Sequence, residues 1–241
     1  MRLRVLGSSG GWPSAGKPCS GYLLEAGEHR VWVDAGPGTL AELLRHCAVD
    51  ALDAVWISHL HPDHCTDLLA AYHSLTYGTS RRSPLPVFGP PGWAARMDAF
   101  VDRPGAMATV FDVHDLHDGF SWHHWPLTLD AVAVHHTVPT FGLRATRKGV
   151  TLAYTSDTAP GPGVDRLAAG AHLLLADAYG EGNDVSSAEQ SARCAAAHQV
   201  GRLVLTHLHP GADPLDAARS AAAVYGGQVD VAQPGDVFDC L

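Results

Sequence analysis

The chain has 241 residues, 46% of them hydrophobic, which is enough to bury a sizeable core in one large domain or two small ones. A formal charge of −9 argues against nucleic-acid binding through a basic surface, although a metal could still supply positive charge to a small phosphorylated substrate. Five scattered cysteines without a CxxC pair give no disulfide framework, and no run is apolar enough for a membrane span or a secretory segment, so a soluble, cytoplasmic protein with buried or spare thiols is expected.

In chain order, "LRVLG" (3–7), "GYLLEAG" (21–27) and "HRVWVDAGPG" (29–38) predict strands ended by Gly or Pro. "TLAELLRHCA" (39–48) predicts a helix with Thr39 as N-cap and Glu42 three residues on. "AVWIS" (54–58) is a buried strand, and "CTDLLAAYHSLTYG" (65–78) carries Leu68, Leu69, Tyr72 and Leu75 at helical spacing. "PLPVFGPPGWAARMDAF" gives a strand, a turn and a helix, whereas "VHDLHDGFSWHHWP" reads as a polar loop. "LTLDAVAVHH" and "LRATRKGVTLAYTSD" are strands, the second folded at "RKG". "AHLLLADAYG" and "RLVLTHLHP" (202–210) are buried strands, "SSAEQSARCAAAHQ" (186–199) and "PLDAARSAAAVYG" (214–226) are helices, and "QVDVA" is the last strand. No linker divides residues 1–241, so one domain of two sheets with helices outside is expected.

Two pairs of segments echo each other. "VWVDAGPG" resembles "LAYTSDTAPGPG", and "VWISHLHPDH" resembles "LVLTHLHPGA". Chance likeness of short apolar strands competes with a true internal repeat, but His-Leu-His-Pro is an uncommon strand ending.

The stretch "ISHLHPDHCTDL" (57–68) crowds His59, His61, Asp63 and His64 just beyond a strand. Pro62 forbids regular pairing and fixes a turn, so the three imidazoles can converge as a straight strand would not allow. Neutral imidazole suits zinc, iron and similar divalent ions, and Asp63 adds a charged oxygen ligand.

These residues resemble the metal motif of the metallo-β-lactamase superfamily, in its ribonuclease Z-like phosphodiesterase branch. The resemblance runs over nearly the whole chain. It begins with "VLGSSGGWPSAGKPCSGYLLEAGEHRVWVDAGPGT", where Asp34 matches a structural aspartate. It continues through "HHTVPTFGLRATRKGVTLAYTSDT" to "LVLTHLHP". It is nearest to compact actinobacterial members that act as cyclic-nucleotide phosphodiesterases. It implies a four-layer αβ/βα sandwich of two mixed sheets. It also implies two divalent ions, zinc in the first instance with manganese or iron as alternatives. His59, His61 and His136 would hold one ion, Asp63, His64 and His207 the other, and Asp157 would bridge them. Hydroxide generated on the pair would attack the substrate, with Asp63 orienting it.

Several residues compete for roles. His135 neighbours His136, but on a strand the two point oppositely and the motif favours His136. His209 mirrors His61 in the echo, though no Asp-His follows it, so a rim position is the plainer reading. His114, His117, His123 and His124 read as solvated, with an extra metal site as the alternative. Arg81 and Arg82 read as a solvated loop, with phosphate contact as the alternative.

Three departures from the family matter. Ser156 stands where many relatives have Gly before the bridging aspartate. Asp184 stands where relatives carry a histidine thought to assist the leaving group, and Asp177 stands where they carry a glutamate that would pair with it. A carboxylate is normally ionised at pH 7 and donates protons poorly unless its pKa is raised, which two acids sharing a proton would achieve. Asp63, Asp177 and Asp184 are therefore the candidate catalytic acids. Finally, a plain hairpin joins His136 to Asp157, where tRNA-processing relatives carry a long basic arm. The expected partner is a small phosphodiester, with no tRNA, no membrane, and a homodimer left open. An acyl hydrolase of thioesterase or lactonase type, or a metal-binding protein with lost catalysis, are the competing readings.

Overall fold

In the computed structural model, which describes residues 1–78 and 83–240, the apolar runs pair into two seven-stranded sheets. The first contains β1 (Arg2–Gly7), β2 (Gly21–Ala26), β3 (His29–Val33), β4 (Ala54–Trp56), β5 (Leu85–Gly89) and β6 (Phe111–Asp115) side by side, with β14 (Val237–Asp239) beyond β1. The second contains β7 (Ser121–His124), β8 (Leu127–Val134), β9 (Thr140–Arg147), β10 (Val150–Tyr154), β11 (Leu173–Asp177), β12 (Arg202–Thr206) and β13 (Gln228–Val231), in that spatial order. Each sheet is antiparallel in one half and parallel in the other, with β3 to β6 parallel in the first and β10 to β13 in the second. Parallel strands need cover on both faces, which is why "LLLA" of β11 and "AVW" of β4 are apolar without alternation and wholly buried.

The sheets face each other across a core that includes Tyr22, Trp56, Phe88, Leu129, Leu143 and Tyr154. Helices α1 (Thr39–Leu43), α3 (Asp67–Tyr77) and α4 (Trp93–Phe100) cover the outer face of the first sheet through Leu43, Leu68, Tyr72, Trp93 and Met97. Helices α5 (Pro162–Ala168), α6 (Ala188–Ala197) and α7 (Pro214–Tyr225) cover the second through Leu167, Ala192, Ala195 and Ala221. The short α2 (Pro62–Cys65) lies within the histidine-rich loop. The architecture is thus the expected four-layer αβ/βα sandwich. Among the described residues, no helix is long and apolar enough to cross a membrane.

Three local expectations are corrected. Thr39 is not the cap of α1; Gly38, at φ 92°, takes that place, and the buried Thr39 hydroxyl donates instead to the Gly36 carbonyl at 2.7 Å. Half of the polar stretch from Val113 to Pro126 is strand, in β6 and β7. Its alternation was masked because β7 is an edge strand whose Ser121, His123 and His124 are exposed while Trp122 packs on the core. β14 was too short to signal itself, since Phe238 alone is buried in it. Helix α5 follows directly on the Gly-Pro turns, with Pro162 in its first turn, where the missing N–H costs nothing. The "SSAEQ" helix begins as its sequence suggests, with Ser187 and Gln190 forming a reciprocal capping box. Arg81 and Arg82 lie outside the described residues.

Candidate metal centre

The parallel strands deliver their loops to one edge of the sandwich. β4 ends at Trp56, and Ser58 is pinned by the buried Asp34 carboxylate, which accepts from the Ser58 amide at 2.7 Å and its hydroxyl at 2.8 Å. Pro62 then turns the chain into α2, swinging Asp63 and His64 back beside His59 and His61. His136 lies two residues past β8, Asp157 follows β10, and His207 follows β12 at φ 57°. Seven side chains from four loops therefore meet.

They form two groups that share Asp157: His59, His61, His136 and Asp157, and Asp63, His64, His207 and Asp157, with the ligand atoms of each group within 4.8 Å of one another. In the first, His61 Nδ1 lies 3.1 Å from His59 Nε2 and 3.2 Å from His136 Nε2. In the second, His207 Nε2 lies 3.2 Å from Asp63 Oδ2 and 3.3 Å from Asp157 Oδ2. His64 Nε2 and Asp157 Oδ1 face each other at 3.2 Å, and both are buried without a hydrogen-bond partner. Unpaired buried polar atoms are costly, and here they point inward from opposite walls of one small space. A divalent cation is what such a donor set fits.

The backs of the rings are held as well. His64 Nδ1 lies 2.8 Å from Asp34, which also accepts from the Tyr154 hydroxyl at 2.8 Å. His136 Nδ1 lies 2.7 Å from the main-chain carbonyl of Asp184, and His207 Nδ1 lies 3.3 Å from Asp177. A ring that donates from Nδ1 must present its Nε2 lone pair inward, so these contacts select tautomer and aim. His61 is reversed, offering Nδ1 inward with Nε2 at 3.4 Å from the Thr137 hydroxyl. Because Asp34 is wholly buried and fully engaged, Asp34→Asn should cost about 1–3 kcal/mol of stability, since one of its contacts must face an N–H with another donor. Chemical denaturation of the purified variant measures this; an unchanged midpoint would count against the role.

Without a cation, the acids and imidazoles hold each other's charge. Burial disfavours charge on His207, but Asp157, Asp177 and Asp63 outweigh it and raise its pKa to about 10. His64 is likewise raised, since Asp157 and Asp34 overcome its burial. His59 and His61 are lowered, chiefly by burial and then by the neighbouring imidazoles. Asp63 and Asp157 resist burial and stay ionised, held down by His207 and His64. At pH 7 the metal-free protein thus carries protons on His207 and His64 that a cation must displace. Metal loading at pH 7 should release about one to two protons per chain, falling as pH rises toward 10. Calorimetric titration in buffers of different ionisation enthalpy checks this; buffer-independent heats would refute it.

The other predicted residues are placed as follows. Both His135 and His136 lie beyond the strand rather than on it, and His135 is exposed while His136 turns into the site. His209 stands at the rim, edge-on to Trp12 at 5.1 Å and to Tyr179 at 5.4 Å, and belongs to neither ligand group. Asp177 lies behind His207, accepting from the amides of Ser186 at 2.9 Å, Tyr179 at 3.1 Å and Thr158 at 3.3 Å, and burial pushes its pKa up. Asp184 gives its carbonyl to His136, and among the described residues no hydrogen bond joins its carboxylate to that of Asp177. The geometry for a shared proton is therefore lacking. Ser156 takes φ 56°, a backbone region where glycine is at ease, and in exchange its hydroxyl donates to Ser58 Oγ at 2.8 Å and lies 3.3 Å from His59 Nδ1.

One contact was missed from sequence. The Gly11 amide, at φ 76°, donates to Asp63 Oδ2 at 2.8 Å, bringing the loop after β1 onto the centre. The signal was the Gly10-Gly11 pair: a Cβ on Gly10 would fall 2.6 Å from the His207 carbonyl.

Residues 29–208 match a family described as a beta-lactamase superfamily domain. The chain is 33% identical over 257 aligned positions to the uncharacterized protein Rv1339 of Mycobacterium tuberculosis, covering 99% of this chain and 92% of that protein. It is 29% identical to a ribonuclease Z of Mycobacterium sp. (strain KMS), covering 96% and 93%. The crystal structure of the metallo-beta-lactamase fold protein YhfI from Bacillus subtilis superposes with a TM-score of 0.87 at 25% identity, covering 98% of both chains.

Proposed function

The chain belongs to the metallo-β-lactamase superfamily, and from that premise we propose that it is a two-metal phosphodiesterase acting on a small or cyclic nucleotide. The observation that carries this reading is the pair of ligand groups meeting at Asp157, with His64 Nε2 and Asp157 Oδ1 unpaired between them. His59, His61 and His136 would hold one ion, Asp63, His64 and His207 the second, and Asp157 both. When bound, such ions lower the pKa of a water and draw charge from phosphoryl oxygens as the transition state forms.

The chain's own residues supply the rest. Asp63, kept ionised and fixed by the Gly11 amide, can accept a hydrogen bond from the attacking water and aim it. Asp34 and Asp177 hold His64 and His207 in the ligating tautomer. The similarity to a ribonuclease supports phosphodiester chemistry, but tRNA is not the substrate we propose. The segment from His136 to Asp157 is spent on β9, a turn at Lys148 and Gly149, and β10, which leaves no room for an arm. The free cysteines suit a reducing cytoplasm.

A second reading, an acyl hydrolase of thioesterase or lactonase type, is favoured by Asp184 in its thioesterase form, because a thiolate leaving group asks less of a proton donor. Metal analysis together with assays on bis(p-nitrophenyl) phosphate, cyclic AMP and an acyl thioester separates the readings. Two ions per chain and chelator-sensitive phosphodiester turnover are expected. Turnover of the thioester alone would transfer the assignment to the second reading, and retained metal without any turnover would leave a binding protein.

A further inference from the structure

At the opposite end of β3 from Asp34, roughly 16 Å away along the strand, a second type of donor cluster joins the two sheets. His29 opens β3, Asp53 precedes β4, and His124 ends β7, the edge strand of the facing sheet. His29 Nδ1 and His124 Nε2 each lie 3.6 Å from the same oxygen, Asp53 Oδ1. That is beyond hydrogen-bond reach for both, yet the three atoms lie within 4.8 Å of one another.

The cluster is held in place from outside. Asp53 is locked to Arg30 by a reciprocal pair, its Oδ2 accepting from the Arg30 amide at 2.8 Å and its own amide donating to the Arg30 carbonyl at 2.9 Å. This leaves Oδ1 turned to the imidazoles. The His124 ring lies flat on Trp122, with planes 4° apart and centroids 4.9 Å apart, and Trp122 is itself packed on the central core. The His29 ring meets His124 edge-on at 4.7 Å.

We propose that His29, Asp53 and His124 form a third divalent-metal site, of zinc type, that clips the edge strand β7 to the start of β3 and β4. Two imidazoles and one carboxylate suit zinc or a neighbouring transition ion, whereas calcium and magnesium ask for more oxygen ligands. Tetrahedral zinc with bonds of about 2.0–2.1 Å spaces its ligand atoms by about 3.4 Å, so ligand atoms that already lie within 4.8 Å of one another need to close by at most about 1.4 Å. The partial exposure of His124 leaves the fourth position to water. The ion would bridge two sheets that meet here through side chains, and stabilise the fold by binding only the folded form.

The test compares zinc binding by the full chain, purified with its principal metals in place, and by His29→Gln and His124→Ala. His124 is exposed and His29 half-buried, and both are remote from the Asp157 centre. Wild type should bind one zinc more than either variant, and added zinc should raise its Tm by about 5 °C while leaving the variants unmoved. Basal hydrolysis should be equal in all three. Equal zinc stoichiometry in wild type and variants, or an equal thermal shift, overturns the proposal. The measurement is a difference between chains, so a shortfall at the Asp157 centre would lower all totals together and would not be mistaken for failure of this site.

Discussion

Asp157→Ala is expected to lose most bound metal and at least about a hundredfold in turnover, the scale on which a charged group at a reacting centre operates. The carboxylate lies within 4 Å of four imidazoles: Oδ1 is 3.2 Å from His64 Nε2, and Oδ2 is 3.3 Å from His207, 3.8 Å from His59 and 3.9 Å from His136. Among the described residues, no other side chain is shared by both ligand groups. Removing it would take an anionic ligand from both of the proposed ions and leave His64 and His207 with less counter-charge in a buried setting. Breaking a buried pair in this way typically costs about 3–5 kcal/mol, so lost activity could reflect lost fold. Asp157→Asn resolves this, since it keeps the shape without the charge. It should fold, bind fewer ions than wild type, and remain slow. Metal analysis, circular dichroism and turnover of bis(p-nitrophenyl) phosphate on both variants make the measurement. An alanine variant with wild-type metal content and rate would remove Asp157 from the centre.

How much of this was legible in the sequence depends on how local each contact is. His59, His61, Asp63 and His64 could be assembled from their own spacing because Pro62 makes the turn within the motif. His136, Asp157 and His207 lie on separate loops, and only their resemblance to an ordered series of motifs tied them together. The supports behind the rings were harder to see. His207 meets Asp177 across 30 positions, and His136 meets position 184 across 48. The latter contact uses a main-chain carbonyl, which leaves no trace in residue type. The internal echo is partly physical. β4 and β12 both lead into the paired histidines His59 and His207, and Asp34 and Ser156 both take φ near 57° just after β3 and β10. Yet β4 lies directly beside β3, while β11 separates β12 from β10, and Asp34 buttresses His64 whereas Asp157 faces the ligands. The missed strands β6 and β7 failed for a different reason. Edge positions face solvent on most sides, so histidine and serine occupy them freely and the period of two is lost.

The last expectation concerns position 184, where the sequence resemblance implies a departure from the family pattern. The Asp184 carbonyl is anchored on His136 at 2.7 Å, so whatever side chain stands there is carried beside the ligand group whether or not it serves chemistry. Asp177, the expected partner for a shared proton, is turned to His207 and three backbone amides instead. A carboxylate without a proton cannot protonate a departing ribose alkoxide, whereas a nitrophenolate leaves unaided. General-acid assistance is typically worth about 10² to 10⁴ in rate. The wild-type protein should therefore cleave nitrophenyl phosphodiesters far better than cyclic AMP. Asp184→His, with its backbone anchor unchanged, should narrow the gap by improving the nucleotide reaction selectively. The assay is kcat/KM on both substrates for wild type and variant, with the pH dependence of the variant's nucleotide reaction. A gain that falls away as pH rises above the imidazole range would identify the new group as the proton donor. Efficient cyclic AMP hydrolysis by wild type, or equal slowing of both substrates in the variant, would instead mean that Asp184 is itself a working acid or a positioning group, and that the departure from the family is a replacement rather than a loss.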